Sequence, residues 1–412
     1  MTILLICHYF APEPGAPQAR LLELGRAWKS RGNHVKVVTC FPNHPTGIIP
    51  PRYAGKLWLK EYLDGIQVYR NWVYATPNEG VVKKTLGHIT FMISSVLLSL
   101  FPSGRADVVV VSSPTFFSLF SAYLFSLVKR APFVVEVRDL WPAALIELGV
   151  LTNPLAIRIL EGLELWIYRR ARLVVVVTES FKENLVARGV PEQKVSVVTN
   201  GVDLERYSPG HKAAWIEQEL DCKGKTLVLY IGALGISQAL ETVIRAAHLL
   251  QDDPSIVFGI VGEGADKQRL LLLVEELNLT NVRFLPAQLK EQMCDFYRTA
   301  DICLVPLRNV PLFRTFIPSK MFEIMACARP IIASLEGESA AILERSGGAM
   351  VIPPEDPVQL AKAVRTLASQ PELCERLGQQ GATFVAAHYS RTVLAERYEQ
   401  LLKSLISGET KK

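Results

Sequence analysis

The feature that most constrains this chain is an alternation of short apolar runs with amphipathic segments, which occurs twice along the sequence. In the first half, runs such as Asp107 to Ser112 and Leu173 to Thr178 consist almost entirely of β-branched residues. Such runs are typical of parallel strands that helices cover on both faces. The alternation restarts at Thr226 to Ile231, after a polar stretch from Ser208 to Lys225. The pattern predicts the α/β class with two Rossmann-like domains.

The length of the chain fits this division. A chain of 412 residues suits two α/β domains of roughly 200 residues each. We expect an N-terminal domain over residues 1–205, a C-terminal domain over residues 206–388, and a last segment, 389–412, that is helical after Ser390. This helix has an apolar stripe that must pack against another apolar surface. The stripe consists of Val393, Leu394, Tyr398, Leu401, Leu402, Leu405 and Ile406.

Composition excludes several classes of function. The formal net charge is only +5 and no basic run accompanies it, so we expect no nucleic-acid partner. Seven cysteines are scattered without a C-x-x-C pair. This predicts reduced thiols in the cytosol, with neither a disulfide framework nor a metal site. The N-terminus lacks a basic region before its first apolar run, so we predict no signal peptide.

Two apolar segments, Ile89 to Phe101 and Phe116 to Val128, are too short to span a bilayer. Both are flanked by cations: Lys83, Lys84, Lys129 and Arg130. Each segment fits either a buried helix or an interfacial helix with cationic anchors. We favour the interfacial interpretation for the first segment, residues 83–102, and the buried interpretation for the second.

The clearest candidate for binding chemistry begins at Pro318 in the second half. A helix N-terminus attracts anions, since its free N–H groups and its dipole both favour negative charge. Lys320 opposes that dipole, which makes sense if a phosphate lies between them. Ser319 can offer its hydroxyl there, and the Glu323 carboxylate one turn later can accept hydrogen bonds from ribose hydroxyls. The alternative is an ordinary helix start with solvated charges.

Two glycine loops follow strands in the same half. Gly232 and Gly235 would let the backbone approach a diphosphate, although a tight turn explains them equally well. Gly262 and Gly264 lack the third glycine of a dinucleotide fingerprint, so they indicate NAD only weakly. We expect no cofactor.

In the first half, the loop Phe10 to Pro17 follows the first strand and is rich in turn formers. Gly15 and Ala16 close this loop, and Arg20 lies in the first turns of the next helix. Because ligands of such folds bind at the carboxyl ends of strands, these three residues are candidates for a binding site.

Arg138 and Asp139 follow another strand of the first half, beside Trp141. The pair could face a cleft or form a local salt bridge, and the sequence favours neither. His8 and His44 could act as acid–base groups, but such residues are more often hydrogen-bonded structural histidines.

Taken together, these pieces resemble the family 4 glycosyltransferases of the GT-B fold over essentially the whole chain. The matching segments occur in family order: the Gly15 loop, GNHVKVVT, VVEVRDLWP, VVTNGVD, YIGALG, VGEG, VRFLPA, ADICLVPL and PSKMFEIMACARPIIAS. The resemblance implies two Rossmann-like domains that face a central cleft. It also implies that the first domain binds the acceptor, which places Gly15, Ala16 and Arg20 on the acceptor side, and that the second domain binds a nucleoside diphosphate sugar. The last helix would pack back on the first domain.

The resemblance carries roles to particular residues. Glu323 matches the second glutamate of the family's E-x-x-x-x-x-x-x-E motif, which grips the ribose. Arg283 matches the position whose backbone reads the base, and Asn200 matches a loop near the diphosphate. Arg138 lies where many relatives have a histidine that touches the donor sugar. We therefore predict catalytic roles for Lys320, Glu323, Arg138 and Asp139. The predicted donor-binding residues are Gly232, Gly235, Gly262, Gly264, Arg283, Asn200, Ser319, Thr315 and Arg314.

The chain departs from the family pattern at three positions. Thr315 replaces the first glutamate of the pair, and Ala233 and Gln238 replace the phosphate-binding cations of many relatives. We expect other cations to neutralise the leaving diphosphate: Lys320, with Arg314 or Arg308.

The resemblance implies transfer of a sugar from a UDP-sugar, without a metal and with retention of configuration. The narrower likeness is to N-acetyl-L-fucosamine and colanic-acid-type transferases of bacterial surface polysaccharide assembly, including O-antigen and lipopolysaccharide. The acceptor would be a polyprenyl-diphosphate-linked sugar, and the enzyme would lie peripherally on the cytoplasmic side of the inner membrane. Thr315 and Arg138 suggest a 6-deoxy N-acetylamino sugar as the donor group.

Two alternatives stay open. One is a sugar-nucleotide epimerase or hydrolase on the same fold, which needs no lipid acceptor. The other is a non-catalytic nucleotide-sugar-binding assembly protein, which the substitutions at Ala233, Gln238 and Thr315 would allow.

Overall fold

The computed structural model describes residues 1–13, 15–44, 46–77, 81–113, 115–142, 146 and 151–407, except for the side chains of residues 16, 17, 81, 82 and 312. The chain divides into two compact units. Unit 1 consists of Met1–Thr199 and Leu394–Lys412, and unit 2 consists of Asn200–Val393. The division falls a few residues before the boundary expected at residue 205.

Unit 1 is built on an eight-stranded sheet with the order β3-β4-β2-β1-β5-β6-β7-β8. Every neighbouring pair is parallel except β3 with β4. The strands are β1 (Thr2–Ile6), β2 (His34–Cys40), β3 (Trp58–Leu63), β4 (Ile66–Asn71), β5 (Val108–Ser112), β6 (Phe133–Val137), β7 (Leu173–Val176) and β8 (Val195–Val197).

Helices within the described part of residues 1–199 cover this sheet. They are α1 (Ala16–Ser30), α2 (Val81–Ser99), α3 (Phe116–Lys129), α4 (Pro154–Arg170) and α5 (Glu179–Ala187). Ile3 and Leu5 of β1 pack into one apolar cluster and Leu4 and Ile6 into another, because successive side chains of a strand point to opposite faces. The sheet therefore has an apolar core on each side, as the β-branched runs predict.

The hairpin of β3 and β4 at the edge of the sheet was not predicted. Its turn is Asp64-Gly65, and both residues have positive φ angles, 52° and 73°. Arg70 of β4 is buried and forms an ion pair with Glu61 of β3. A charged pair therefore occupies positions where an apolar pattern would be expected.

Unit 2 contains a six-stranded parallel sheet with the order β11-β10-β9-β12-β13-β14. Its strands are β9 (Thr226–Ile231), β10 (Ile256–Val261), β11 (Val282–Leu285), β12 (Ile302–Pro306), β13 (Ile331–Ser334) and β14 (Ala349–Ile352). Its helices are α6 (Ala214–Glu219), α7 (Leu240–His248), α8 (Lys267–Glu276), α9 (Met293–Thr299), α10 (Lys320–Ala326), α11 (Glu338–Ser346), α12 (Pro357–Ser369) and α13 (Pro371–His388). The predicted α/β class is confirmed.

The last helix, α14 (Arg391–Ser407), packs against unit 1 from Leu394 onward. The Ser390 hydroxyl accepts a hydrogen bond from Val393 N at 3.3 Å, so Ser390 caps the helix. Four residues of the predicted stripe or beside it are buried in a core cluster of unit 1: Leu394, Ala395, Tyr398 and Leu402. Trp28 of α1 donates its indole N–H to the Ala395 carbonyl at 3.0 Å.

The two apolar segments of the first half lie in α2 and α3. Phe91 of α2 is fully buried, whereas Leu97 is 73% exposed and Phe101, just after the helix, is 78% exposed. In α3, Phe125 is buried while Leu127 is exposed. No helix among the described residues is long and apolar enough to cross a bilayer.

Candidate functional site

The carboxyl end of β9 lies where the strand order of unit 2 reverses, since β10 and β12 lie on opposite sides of β9. Ligands of open parallel sheets bind at such switch points. The loop that begins at Gly232 leaves the sheet there, and the short helix α10 begins nearby in space with Lys320, as the contacts below show.

Lys320 joins α10 to the loop after β9. Its ammonium donates a hydrogen bond to the Ile231 carbonyl at 2.9 Å and lies 4.0 Å from the centroid of the Tyr230 ring. A Cβ atom on Gly232 would lie 2.6 Å from this ammonium. Burial lowers the pKa of Lys320 to about 8, although the charge of Glu323 opposes that change. The structure thus holds a largely desolvated cation against the Gly232 loop.

Glycines let the loops after β9 and β10 approach each other closely. A Cβ atom on Gly262 would lie 1.9 Å from the carbonyl oxygen of Gly232, and one on Gly264 would lie 2.2 Å from that of Leu234. At Gly235 the nearest atom, 3.0 Å away, belongs to a flexible side chain. Gly262 and Gly264 are therefore needed for the close packing of these two loops, whereas Gly235 is not.

The start of α10 differs from the anion site that the sequence suggests. The Ser319 hydroxyl makes no capping hydrogen bond. The N–H groups of Met321 and Phe322 donate to the carbonyls of Pro318 and Ser319, both at 3.1 Å. These two amides already donate hydrogen bonds within the chain. Lys320 therefore supplies more of the attraction for an anion than the helix terminus does.

Glu323 lies one turn after Lys320 and is half-buried. The hydroxyl of the buried Tyr297 donates to Glu323 Oε2 at 3.1 Å. This contact fixes one carboxylate oxygen and orients the side chain. Burial and the negative charge of Glu323 both raise the pKa of Tyr297, so its hydroxyl stays protonated as a donor.

The other cations proposed near the diphosphate are engaged with carboxylates. Arg314 Nη2 lies 2.9 Å from Glu336 Oε2, and both side chains are exposed. Arg308 Nε lies 3.5 Å from Glu355 Oε1. Thr315 ends the 3₁₀ helix that also contains Arg314. Of these three proposed cations, Lys320 is the one with a described side-chain contact at the glycine loop.

The side chain of Arg283 has its partners away from Lys320 and Glu323. The Arg283 guanidinium donates to the Thr280 carbonyl at 2.6 Å and to Asp221 Oδ2 at 3.0 Å. Asp221 precedes β9, so the side chain of Arg283 points toward the amino ends of the strands. Asn200 begins unit 2 just after β8 and is half-buried.

In unit 1, Arg20 donates hydrogen bonds to two backbone carbonyls and one buried carboxylate. Its guanidinium donates to the carbonyls of Thr199 and Val198, at 2.7 and 2.9 Å, and to the buried Glu136 at 3.1 Å. Burial alone would raise the pKa of Glu136, but the charges of Arg20 and Arg138 hold it below its ordinary value. Arg20 therefore connects α1 to the end of β8.

Arg138 follows β6 and is half-buried, and its backbone N–H donates to Ser113 Oγ at 3.0 Å. Its Nε and Nη1 atoms are buried without a hydrogen-bond partner among the described residues. Burial lowers the pKa of this guanidinium, although Glu136 opposes that change. Asp139 beside it is exposed. Within the described part of the chain, Arg138 and Asp139 do not form an ion pair with each other.

Gly15 precedes α1 with a φ of 142°, and Ala16 is the first residue of that helix. A Cβ atom on Gly15 would lie 2.3 Å from the side-chain oxygen of Gln18. The side chain of Ala16 lies outside the described residues.

Sequence reasoning missed a cluster of polar aromatic residues in unit 1. His8 and Tyr9 follow β1, His44 follows β2, and His88 lies on α2. The rings of His8 and His88 meet edge to face with centroids 4.6 Å apart. The sequence offers His8 and His44 only as separate residues, and His88, just before the apolar segment Ile89 to Phe101, gives no local signal.

No cluster of histidine, cysteine or acidic side chains that could hold a metal ion occurs among the residues that the structure describes.

Two family models match this chain. "Glycosyl transferase 4-like domain" matches residues 15–201, and "Glycosyl transferases group 1" matches residues 211–384. Among similar proteins, WcaI of Escherichia coli, named for colanic acid biosynthesis, is 24% identical over 348 residues, covering 82% of this chain and 84% of its own. The glycosyltransferase WbjE of Pseudomonas aeruginosa is 25% identical over 312 residues, covering 74% of this chain and 76% of its own.

Solved structures have the same fold. Sucrose-phosphate synthase of Thermosynechococcus elongatus matches with a TM-score of 0.74 at 20% identity, over 99% of both chains. HepE of Anabaena in complex with UDP-glucose matches with a TM-score of 0.70 at 15% identity, over 98% of this chain and all of that one. The predicted GT-B fold is confirmed. The chain is a glycosyltransferase whose N-terminal half belongs to the glycosyl transferase 4-like family and whose C-terminal half belongs to glycosyl transferases group 1.

Proposed function

We propose that this enzyme transfers an N-acetylated, 6-deoxy hexosamine from a UDP-sugar to a polyprenyl-diphosphate-linked acceptor during bacterial surface polysaccharide assembly. The transfer would need no metal and would retain the anomeric configuration. The similarity to WcaI, which is named for colanic acid biosynthesis, supports the polysaccharide context. The UDP and UDP-glucose complexes of HepE, which has the same fold, support a nucleotide sugar as the donor substrate.

The observation that carries this proposal is the position of Lys320 against the Gly232 loop. When the sugar–phosphate bond breaks, negative charge develops on the leaving diphosphate. A cation fixed in a low-dielectric site stabilises such charge more than a solvated one does, because little reorganisation is needed. Lys320 is already desolvated and oriented by Tyr230 and Ile231. Glu323, one turn later, would accept hydrogen bonds from the ribose hydroxyls.

A peripheral position on the cytoplasmic side of a bacterial inner membrane belongs to the same proposal. Helix α3 contacts both α2 and α4, and all three helices have exposed apolar side chains. The exposed side chains of α4 recur at helical spacing: Leu155, Ile159, Leu163 and Trp166. Arg170 lies over the Trp166 ring, 5.3 Å from its centroid. Apolar faces with adjacent cations favour an anionic bilayer surface.

The test is a product analysis with a panel of UDP-sugars, with and without a prenyl-diphosphate-linked sugar. We expect UDP release that depends on the acceptor, and a glycosylated lipid as the product. Release of UDP with a free or epimerised sugar in the absence of the acceptor would instead indicate the epimerase or hydrolase alternative. Binding of UDP-sugars without turnover under any condition would indicate the non-catalytic alternative.

A further inference from the structure

Two buried cysteines of unit 2 lie next to each other. Cys294 is in the first turn of α9, and Cys327 directly follows α10. Both are free thiols, and their Sγ atoms are 3.7 Å apart and share a hydrogen bond. Cys294 is 5% exposed and Cys327 is 1% exposed. The two residues are 33 positions apart in the sequence, so their contact joins two separate helices of the folded unit.

The same two helices meet a second time at the residue expected to hold the ribose. Tyr297 is three residues after Cys294 on α9, and its hydroxyl donates to Glu323 Oε2 of α10 at 3.1 Å. Cys327 is four residues after Glu323 and donates its backbone N–H to the Glu323 carbonyl at 3.1 Å. Residues three or four apart lie on one face of a helix. The thiol pair and the Tyr297–Glu323 hydrogen bond are therefore adjacent contacts between α9 and the end of α10.

The surroundings of Cys294 favour its thiolate form. The Arg298 guanidinium donates to the Ser208 carbonyl at 2.8 Å, and Cys294 Sγ lies 3.9 Å from the same oxygen. The hydrogen bond with Cys327 lowers the pKa of Cys294 to about 6, and the charge of Arg298 acts in the same direction, although burial opposes it. The same hydrogen bond raises the pKa of Cys327. Because the thiolate is the reactive form of cysteine, Cys294 is the nucleophile of the pair.

A pocket of about 400 Å³ gives a small oxidant a route toward the two thiols. Its lining includes Cys327 and the half-exposed Cys374. It also includes Thr226, Asp301 and Pro330, which lie at or just before the starts of β9, β12 and β13. The pocket is therefore at the amino ends of the strands, whereas ligands of such sheets bind at the carboxyl ends. An oxidant can use this route without passing through the nucleotide site.

We propose that Cys294 and Cys327 are a redox modification site, at which hydrogen peroxide converts the two thiols into a disulfide. The Cys294 thiolate attacks one peroxide oxygen, which breaks the O–O bond and leaves a sulfenic acid and hydroxide. The Cys327 sulfur then attacks the sulfenic sulfur, and the thiol proton leaves with the sulfenic hydroxyl as water. An external dithiol restores both thiols by exchange.

The disulfide weakens nucleotide binding, and this part of the inference rests on the proposed function, in which Glu323 holds the ribose. The two sulfur atoms must approach closer than their present contact in order to bond. Since the bond joins α9 to the end of α10, this approach displaces the Tyr297 hydroxyl from its place on Glu323. The carboxylate then loses the contact that orients it, and UDP binds about tenfold more weakly.

The experiment treats the folded, full-length protein with hydrogen peroxide and identifies its disulfides by peptide mass spectrometry. Calorimetry measures the UDP affinity before oxidation, after oxidation and after reduction with dithiothreitol. The variants are Cys294→Ala and Cys327→Ala, and the control is Cys374→Ala, which removes the half-exposed thiol of the same pocket. We expect the disulfide and a reversible, about tenfold loss of UDP affinity in the wild type and the control. The UDP affinity of the other two variants should not respond to peroxide.

An analogue of UDP without ribose hydroxyls tests the connection to Glu323. The analogue has no hydroxyl for the carboxylate to accept from, so reduced and oxidised protein should bind it equally. Reduced Tyr297→Phe should bind UDP as weakly as oxidised wild type does, because both lack the same hydrogen bond. An equal loss of affinity for UDP and for the analogue would indicate a general distortion of unit 2 and would contradict the connection.

The remaining outcomes separate the thiol pair from the nucleotide site. If peroxide forms no disulfide, or joins Cys327 to Cys374 instead, the modification site is wrong. If the Cys294–Cys327 disulfide forms and UDP affinity stays the same, the effect on nucleotide binding is wrong. If the reduced wild type does not bind UDP at all, the proposed function fails, while the peptide masses still decide whether the two thiols react with each other.

Discussion

The ammonium of Lys320 lies 4.0 Å from the centre of the Tyr230 ring, and the lysine is half-buried. The electron-rich face of the ring attracts the cation, whereas burial disfavours its charged form. The Tyr230 hydroxyl donates to the Ala233 carbonyl at 2.7 Å, which fixes the ring against the glycine loop. The lysine is therefore held against the loop by its surroundings, and its partial burial weakens the screening of its charge by water.

Replacing Lys320 with Ala should reduce kcat by about 10²- to 10³-fold, since one preorganised charge-stabilising group is lost. The melting temperature should stay close to that of the wild type. Lys362→Ala removes an exposed lysine of unit 2 and is the control. Steady-state kinetics and thermal unfolding measure both effects. Full turnover in Lys320→Ala would remove the lysine from the mechanism.

The pH dependence of kcat/KM should report the titration of Lys320. The charged lysine is the active form, and its pKa in the free enzyme is about 8. Consequently kcat/KM for the nucleotide sugar should be constant below this pH and fall as the pH rises through it. Lys320→Arg keeps its charge to much higher pH, so the alkaline fall should disappear in that variant. An unchanged alkaline limb in Lys320→Arg would assign the titration to another group.

Gly262→Ala should destabilise unit 2 by about 2 to 4 kcal/mol, because the new methyl group would meet the Gly232 carbonyl and φ is positive. It should also weaken UDP binding. Gly224→Ala is the matched control, since its φ is 75° but nothing lies within 4 Å of the added atom. The control should lose about 1 kcal/mol from backbone strain alone. Urea unfolding and calorimetry with UDP test both statements.

The docking of α14 should depend on one buried carboxylate. Glu399 accepts a hydrogen bond from Asn33 at 2.8 Å and forms ion pairs with Arg31 and Lys403. Glu399→Gln should cost about 2 kcal/mol, because it leaves a buried network partly unpaired. Glu396→Gln is the control, since this exposed residue also pairs with Arg31. Hydrogen exchange of the α14 amides should rise in the first variant and stay near wild type in the second.

Acid should weaken the docking of α14 through Glu399. Burial alone would raise the pKa of Glu399, but hydrogen bonds from Lys403, Asn33 and Arg31 lower it to about 2. Because its pKa is lowered, the charged form of Glu399 stabilises the folded protein fully at pH values above the ordinary glutamate pKa of 4.5. This stabilisation is lost as the pH falls toward about 2. Wild type and Glu399→Gln should therefore converge in stability over this window. A constant difference between the two would contradict the assignment.

Membrane association should depend on the exposed apolar residues of α2. Leu97→Glu combined with Phe101→Glu should reduce cosedimentation with phosphatidylglycerol vesicles, since both side chains are largely exposed and charges resist burial in lipid. Leu272→Glu changes an equally apolar exposed position on α8 of unit 2 and should bind vesicles as the wild type does. If the double variant still binds vesicles fully, this face of unit 1 is not the lipid-binding surface.

The strands of both sheets could be predicted because buried parallel strands read as continuous β-branched runs, as in β5 and β7. The edge hairpin lacked that signal. Alternate residues of β3 are exposed, and β4 carries the buried Arg70. The dipeptide Asp64-Gly65 between them was the available sign, since both positive φ angles fit a two-residue hairpin turn.

The candidate site was predictable where one short segment carries its chemistry. Lys320 and Glu323 share a helix, so their spacing alone places them one turn apart. Arg283 and Arg20 show the limit of this reasoning, because their partners lie 62 and 116 residues away at Asp221 and Glu136. No local pattern reveals such pairings. The direction in which these side chains point is decided by the packing of the whole unit.

The return of α14 to unit 1 has a consequence for biosynthesis. Residues 1–199 leave the ribosome long before Leu394 is made, so Trp28 and the apolar cluster around it stay uncovered while all of unit 2 is synthesised. Nascent chains with exposed apolar surface are prone to aggregation and are natural substrates for chaperones. An N-terminal fragment expressed alone should therefore be rescued by a separate α14 peptide supplied in trans.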